Sequence, residues 1–398
     1  MSDPISQQSS YQGSAFWSYG FRPFFLSAAL FAGIVIPLWV LLFSGIEDVT
    51  FLYPAREWHV HEMLFGFLPC VITGFLLTAI PNWTDRPPMR GLPLMLLWAL
   101  WLAGRLAIAA SLWIPPLVLA IVDATFFVVV AVLVWREIFA SQTWDRSPIG
   151  VLVSLYASAN ILFHGLFLNG APTDLAEHMA LTLIMVLLAM IGGKITPAFT
   201  EDALAEEGVI KQPAPFSRFD GLSILCVGVA GLLWMINLNL MVTGVVFMGA
   251  GFLHLIRLSR WYGWLTWREP LVLILHVGYG WLAMSFFILG GSMLGMGVSL
   301  EDAIHALTTG AAGVMTLAVM TRASLGHTGR VKHAGPLTLS IYLLVNCGAL
   351  LRVFGPSLDL AGTLSLSMAA GCWSGAYLLF AIGYGHILLG PNVEDVRS

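Results

Sequence analysis

Charge is what this chain has least of: Asp, Glu, Lys and Arg together make up 10% of its 398 residues. A water-soluble enzyme of that length would carry a densely ionic surface, so that class is excluded. Cysteine is scarce as well. Cys70, Cys226, Cys347 and Cys372 stand singly inside apolar runs, with no CxxC pair for zinc or redox exchange and no CxxCH for covalent haem; any haem would be held noncovalently. Phosphate-binding loops, dinucleotide fingerprints and nucleophile elbows are missing too. With 18 basic and 22 acidic residues the net charge is -4, and no nucleic-acid partner is expected.

Hydrocarbon fills the chain instead. Hydrophobic residues make up 58% of it, the mean hydropathy is +0.85, and apolar runs of about 20 residues, enough to cross a bilayer core, recur throughout. The pattern predicts an all-α polytopic membrane protein, in contact with lipid, with twelve transmembrane helices: 21–44, 59–81, 91–111, 113–140, 147–169, 174–198, 219–237, 239–262, 267–292, 299–325, 334–355 and 359–390. Residues 1–20 lack Lys and Arg, and the run 21–44 is too long for a cleaved signal peptide, so it is expected to stay as the first span. An acidic, proline-containing cytoplasmic linker at 199–218 (Glu201, Asp202, Glu206, Glu207, Pro213, Pro215) divides the single membrane domain, 1–398, into six-helix halves at 21–198 and 219–390. Of the 18 Lys and Arg, Arg56, Arg105 and Arg352 alone fall opposite the termini; the others, Arg397 included, share the side of the termini, which places both termini in the cytoplasm.

Ten histidines then need an explanation. Sorted by depth, at a rise of about 1.5 Å per helical residue, His59, His61, His164, His178 and His305 form one layer at the non-cytoplasmic end. His254, His276 and His386 lie toward the cytoplasm, and His327 and His333 in the loop after the tenth span. His164 and His178 stand equally far from the turn near Ala171, and His254 and His276 equally far from the turn near Leu265. Each pair should therefore sit level on antiparallel neighbours, where two imidazoles can grip one ion or one porphyrin. A lone intramembrane histidine is ordinarily a hydrogen-bonded interhelical residue. Five in one layer point to metal, because imidazole suits iron and copper.

The densest polar patch is Trp58-His59-Val60-His61-Glu62. His59 and His61 are two positions apart, about 200° on a regular helix, so they are expected to serve different partners: His61 the bundle interior, His59 the rim or another ligand set. Glu62 can bind metal, orient a histidine, carry protons, or simply favour a helix N-terminus. Asp123 falls near the bilayer centre with no cation evidently spaced to meet it, which makes it a proton-transfer candidate. Glu301, one turn before His305, joins Glu62 and Asp123 as a candidate catalytic acid. His254 and His276 are candidate ligands of an inner haem; Arg56, Arg105 and Arg352 are candidate partners of haem propionates, because guanidinium forks match carboxylates. The second, sixth and tenth spans each begin with histidine and end in a Thr-containing polar segment (Asn82-Trp83-Thr84, Lys194-Ile195-Thr196-Pro197, Met320-Thr321-Arg322), matches too sparse to define a repeat.

At these residues the chain is similar to the NnrS family, bacterial membrane proteins named for a response to nitric oxide and described as containing haem and copper. The likeness rests on Tyr19-Gly20-Phe21-Arg22-Pro23-Phe24-Phe25, on Trp58 to Phe67 with Gly74-Phe75-Leu76-Leu77-Thr78-Ala79 after it, on Ile191 to Thr200, and on Met315 to Arg330. It departs at Lys194, where arginine is the commoner residue. The resemblance makes His59, His61 and Glu62 the central motif. It implies one or two haem b groups, copper, nitric oxide as ligand, a place in the bacterial inner membrane and a role in nitrosative-stress defence or denitrification. If the protein turns over, the expected reaction is reduction of two NO to N2O, with electrons from quinol or a separate carrier. Two other readings stay open at this point: a transporter or exporter of haem, copper or nitrosylated iron, and a haem-based NO sensor without turnover.

Overall fold

The computed structural model describes residues 11–45, 51–356 and 363–393; Arg397, counted in the charge asymmetry above, lies outside them. Among the described residues there are helices and no strands, and twelve helices are long and apolar enough to cross a membrane. The chain is a polytopic membrane protein. Its spans are α1 (Phe21–Phe43), α2 (Ala55–Thr84), α3 (Leu92–Ala109), α4 (Pro116–Ser141), α5 (Trp144–Leu168), α6 (Asp174–Glu206), α7 (Arg218–Met235), α8 (Leu240–Ser259), α9 (Pro270–Met293), α10 (Leu300–Gly326), α11 (Pro336–Phe354) and α12 (Thr363–Leu389). Proline, whose missing N–H costs nothing in a first turn, opens α3, α4, α9 and α11. Ser217 and Asp220 form a capping box on α7, and Asn239 and Ser299 cap α8 and α10. The largest departure from the expected boundaries is α6, which runs on to Glu206 and takes Glu201, Asp202 and Glu206 out of the linker.

Three spans change pitch inside the bilayer. π-Helical turns occupy Glu62–Phe67 in α2, Leu188–Gly192 in α6 and Ala306–Gly313 in α10, every fourth span in order. In α2 the cause is local: Pro69 has no N–H for the carbonyl of Phe65, and its ring crowds that carbonyl, so the preceding turn widens. A carbonyl with a lost or weakened helical partner is costly in hydrocarbon, and side chains from other spans answer it. Tyr156 donates to the Leu64 carbonyl (2.5 Å) and Trp101 Nε1 to that of Gly66 (2.9 Å). Arg257 Nη1 donates to Ala189 (2.7 Å) and the Tyr377 hydroxyl to Gly313 (3.3 Å), which also accepts from Thr316 Oγ1 of its own span (2.9 Å).

The chain divides into two compact units. The first comprises residues 1–180, 323–331 and 381–398. In it α1 packs on α2, α2 on α4, and α3, α4 and α5 follow as antiparallel neighbours. The ends of α10 and α12 belong to it because the start of α1 binds them. Buried Arg22 donates to the carbonyls of Ile387, Leu388 and Gly390 (3.1, 2.9 and 2.7 Å) and to Asn392 Oδ1 (2.7 Å), a cation on the carbonyl-rich end of α12. Tyr19 stacks on His327 with ring centroids 5.9 Å apart. The second unit comprises residues 181–322 and 332–380; its most extensive packing is α8 on α9, with α7 on α8 and the π-helical part of α10 against α9 and α11.

Candidate metal centre

The first unit encloses a polar cluster that its own hairpins assemble. Asp123 enters on α4 and is 2% exposed. Its Oδ2 accepts three hydrogen bonds: from His61 Nε2 of α2 (3.0 Å), from His164 Nε2 of α5 (3.0 Å) and from Asn160 Nδ2 of α5 (2.9 Å). Its Oδ1 accepts from Arg105 of α3. Arg105 Nη1 also donates to Glu62 Oε1 (2.5 Å), and the same oxygen lies 3.0 Å from His61 Nδ1. The Tyr53 hydroxyl, just ahead of α2, donates to His164 Nδ1 (2.7 Å). All seven side chains are buried.

Two glycines make the room. A Cβ on Gly66 would stand 2.4 Å from Arg105 Nη1, and one on Gly104 would stand 2.9 Å from Asp123 Oδ1 and 3.3 Å from its Cα. Rings close the remaining sides: Tyr53, Phe65 and Phe163 lie 5.7, 5.6 and 5.3 Å from the His61 ring, centroid to centroid.

One ring nitrogen each of His61 and His164 and one Asp123 oxygen all lie within 4.8 Å of one another, close enough to share an ion. Among the described residues this is the only cluster of three or more His, Cys, Asp or Glu with that spacing. The outer partners fit a metal as well. A ligating imidazole is held best when its second nitrogen has a fixed partner, and here Glu62 serves His61 and Tyr53 serves His164. Asn160 Oδ1 is buried without a partner, an acceptor beside the cluster for an O–H or N–H that an ion would carry.

The other candidates from the sequence are distributed elsewhere. His59 stacks on Trp39 at 4.3 Å, which agrees with the expectation that it and His61 face apart. His178 lies about one turn into α6, next to Glu177, which takes both terminal nitrogens of Arg56 (3.0 and 2.9 Å). His305 Nδ1 donates to the Glu301 carbonyl (2.6 Å), while the Glu301 side chain is on the surface. Arg352 pairs with Asp302. In the second unit His254 bonds the Tyr279 hydroxyl and the Ser223 carbonyl (2.8 and 3.2 Å), and that hydroxyl also accepts from Arg257, itself paired with Asp220. His276 Nε2 lies 2.7 Å from Thr200 Oγ1, whose own proton goes to the Thr196 carbonyl; its Nδ1 faces Gly263, where a Cβ would stand 2.4 Å away.

Tyr53 and Asn160 are the members of the cluster that the sequence did not single out, and Arg105, expected as a propionate partner, stands between Glu62 and Asp123. One signal was available for Arg105: it and Asp123 stand equally far from position 114 in the α3–α4 turn, so the hairpin sets them level.

No curated protein is similar to this chain. A family model described as NnrS protein matches residues 15–392, nearly the whole sequence, and the chain belongs to that family.

Proposed function

We propose that the protein acts in the bacterial response to nitric oxide as an inner-membrane metalloprotein that binds NO at the His61–Asp123–His164 cluster and reduces it to N2O. The observation that carries the reading is electrostatic. Two buried carboxylates, Glu62 and Asp123, face one guanidinium, Arg105, and the His61 ring between them; with that ring neutral, as a metal ligand is, one negative charge is left uncompensated in the membrane interior. Burying it is costly, and a cation held by two imidazoles and a carboxylate offsets it.

When bound, the metal supplies a Lewis-acid centre that takes a diatomic ligand. The rest belongs to the chain. Glu62 and Tyr53 fix the two imidazoles, Arg105 holds the two carboxylates apart in set positions, and the rings of Phe65 and Phe163 make an apolar wall beside His61. Two NO, two electrons and two protons give N2O and water. Quinol or a separate carrier supplies the electrons, and Glu62, bridging His61 and Arg105, is the carboxylate that hands on the protons. Haem b is proposed on the family likeness alone. To take iron, His254 would have to release Tyr279 or Ser223, and the free nitrogen of His276 faces the backbone at Gly263, so no step is derived through it.

Anaerobic NO consumption by the purified protein in liposomes, with reduced quinol, tests the reading. Sustained consumption with N2O release, lost in Asp123→Asn and in His164→Gln, is expected. Uptake that stops at stoichiometric NO, or turnover untouched by both substitutions, overturns it.

A further inference from the structure

We infer that the resident ion of the His61–Asp123–His164 cluster is ferrous iron outside any porphyrin. The inference rests on the preceding reading that this cluster binds metal, and it concerns which metal. Two neutral imidazoles and one carboxylate, leaving further positions open, are the donor set that suits non-haem Fe(II). Copper(I) favours thiolate and thioether sulfur. The one thiol in this part of the fold is turned away: Cys70 Sγ donates to the Phe24 carbonyl (3.3 Å).

One donor atom from each of His61, Asp123 and His164 lies within 4.8 Å of the other two, so the three can occupy one face of a single ion. A face-bound ion keeps its opposite positions for small ligands, and Asn160 Oδ1 stands unpartnered to accept from a bound water. With the cluster's own charge of one negative, a divalent ion leaves one positive charge, which an anionic ligand in an open position cancels.

The test is a metal count on protein grown with both iron and copper, purified anaerobically, with haem iron measured separately and subtracted. About one non-haem iron per chain is expected, absent from Asp123→Asn and His164→Gln, and giving with NO the quartet-spin resonance of a ferrous nitrosyl without porphyrin. Tyr53→Phe keeps every ligand, so it tests the site without dismantling the fold; it should weaken Fe(II) binding about 10–100-fold by freeing the His164 ring. Copper at about one per chain, lost in the same two variants, overturns iron but leaves the metal centre standing. Metal contents equal in wild type and both variants overturn the iron assignment and the metal reading together.

Discussion

Arg105→Met is the sharpest perturbation of this cluster. Methionine keeps much of the arginine stem's volume, so the change removes charge and hydrogen bonds more than packing. Arg105 is 7% exposed, and its two acidic partners, Glu62 and Asp123, are 2% exposed each. Without it two carboxylates share a dry site. A unit-charge pair about 4 Å apart is worth about 4 kcal/mol at the effective dielectric of protein interiors, and removing one member of a buried pair costs about 3–5 kcal/mol in measured cases. We expect a loss of about 3–5 kcal/mol, read by reversible unfolding in mixed detergent micelles followed by helical circular dichroism. The informative control is Arg105→Met combined with Glu62→Gln, which removes one of the orphaned charges; it should be more stable than Arg105→Met alone by at least about 1 kcal/mol. An Arg105→Met protein within about 0.5 kcal/mol of wild type, or a double variant whose losses simply add, refutes the charge accounting on which the metal reading stands.

Two further outcomes follow from particular contacts. Gly104→Ala and Gly66→Ala should each cost about 1–3 kcal/mol through overpacking and lower the metal content, since the new methyl meets Asp123 or Arg105; Gly165→Ala, on α5 where a Cβ meets nothing within 4 Å, should change neither. Tyr19, ahead of α1 and outside the spans, has its hydroxyl pushed up from 10.0 to about 12 by burial. The folded state thus favours the neutral phenol, and its contribution is complete below pH 10 and lost as pH rises from 10 through about 12. The rise from 10.0 to about 12 corresponds to about 3 kcal/mol, so Tyr19→Phe should flatten the alkaline fall in stability across that window, and an unchanged alkaline limb tells against burial as its cause.

The twelve spans are legible because bilayer thickness imposes one length on every crossing, and side-chain chemistry hardly enters. The cluster is legible only in part. His61, His164, Glu62 and Asp123 stand out individually, since polar residues are rare in the apolar runs, but depth alone assigned His178, His305 and His59 to the same layer. Depth fixes one coordinate of three. What separates His164, bonded to Asp123, from His178, its level neighbour across the turn, is rotation about the helix axis, and that depends on packing. Arg105 shows the converse: grouped with Arg56 and Arg352 by side, it is used as the counterion of Asp123, and the symmetry of the α3–α4 hairpin about position 114 carried that information.

Rotation is also where the π-helical turn of α2 matters to the site. The widened turn begins at Glu62, directly after His61, and ends at Phe67, just before Pro69. Residues on its two sides are therefore out of the phase a continuous α-helix would give them. That is what lets one helix turn His61 and Glu62 toward Asp123 and Arg105 while Phe67, Leu68 and Val71 stay buried below. The cost is borne by carbonyls, and Tyr156 and Trp101, from the same α5 and α3 that supply His164, Asn160 and Arg105, answer them. The spans that furnish three of the four remaining polar partners of Asp123 and Glu62 are thus the spans that make the distortion tolerable, so the pitch change and the polar cluster depend on each other. If so, Pro69→Ala, which restores the missing N–H, should let α2 relax toward a regular helix and lower metal content without touching any ligand. Metal content equal to wild type in a folded Pro69→Ala protein would separate the turn from the site.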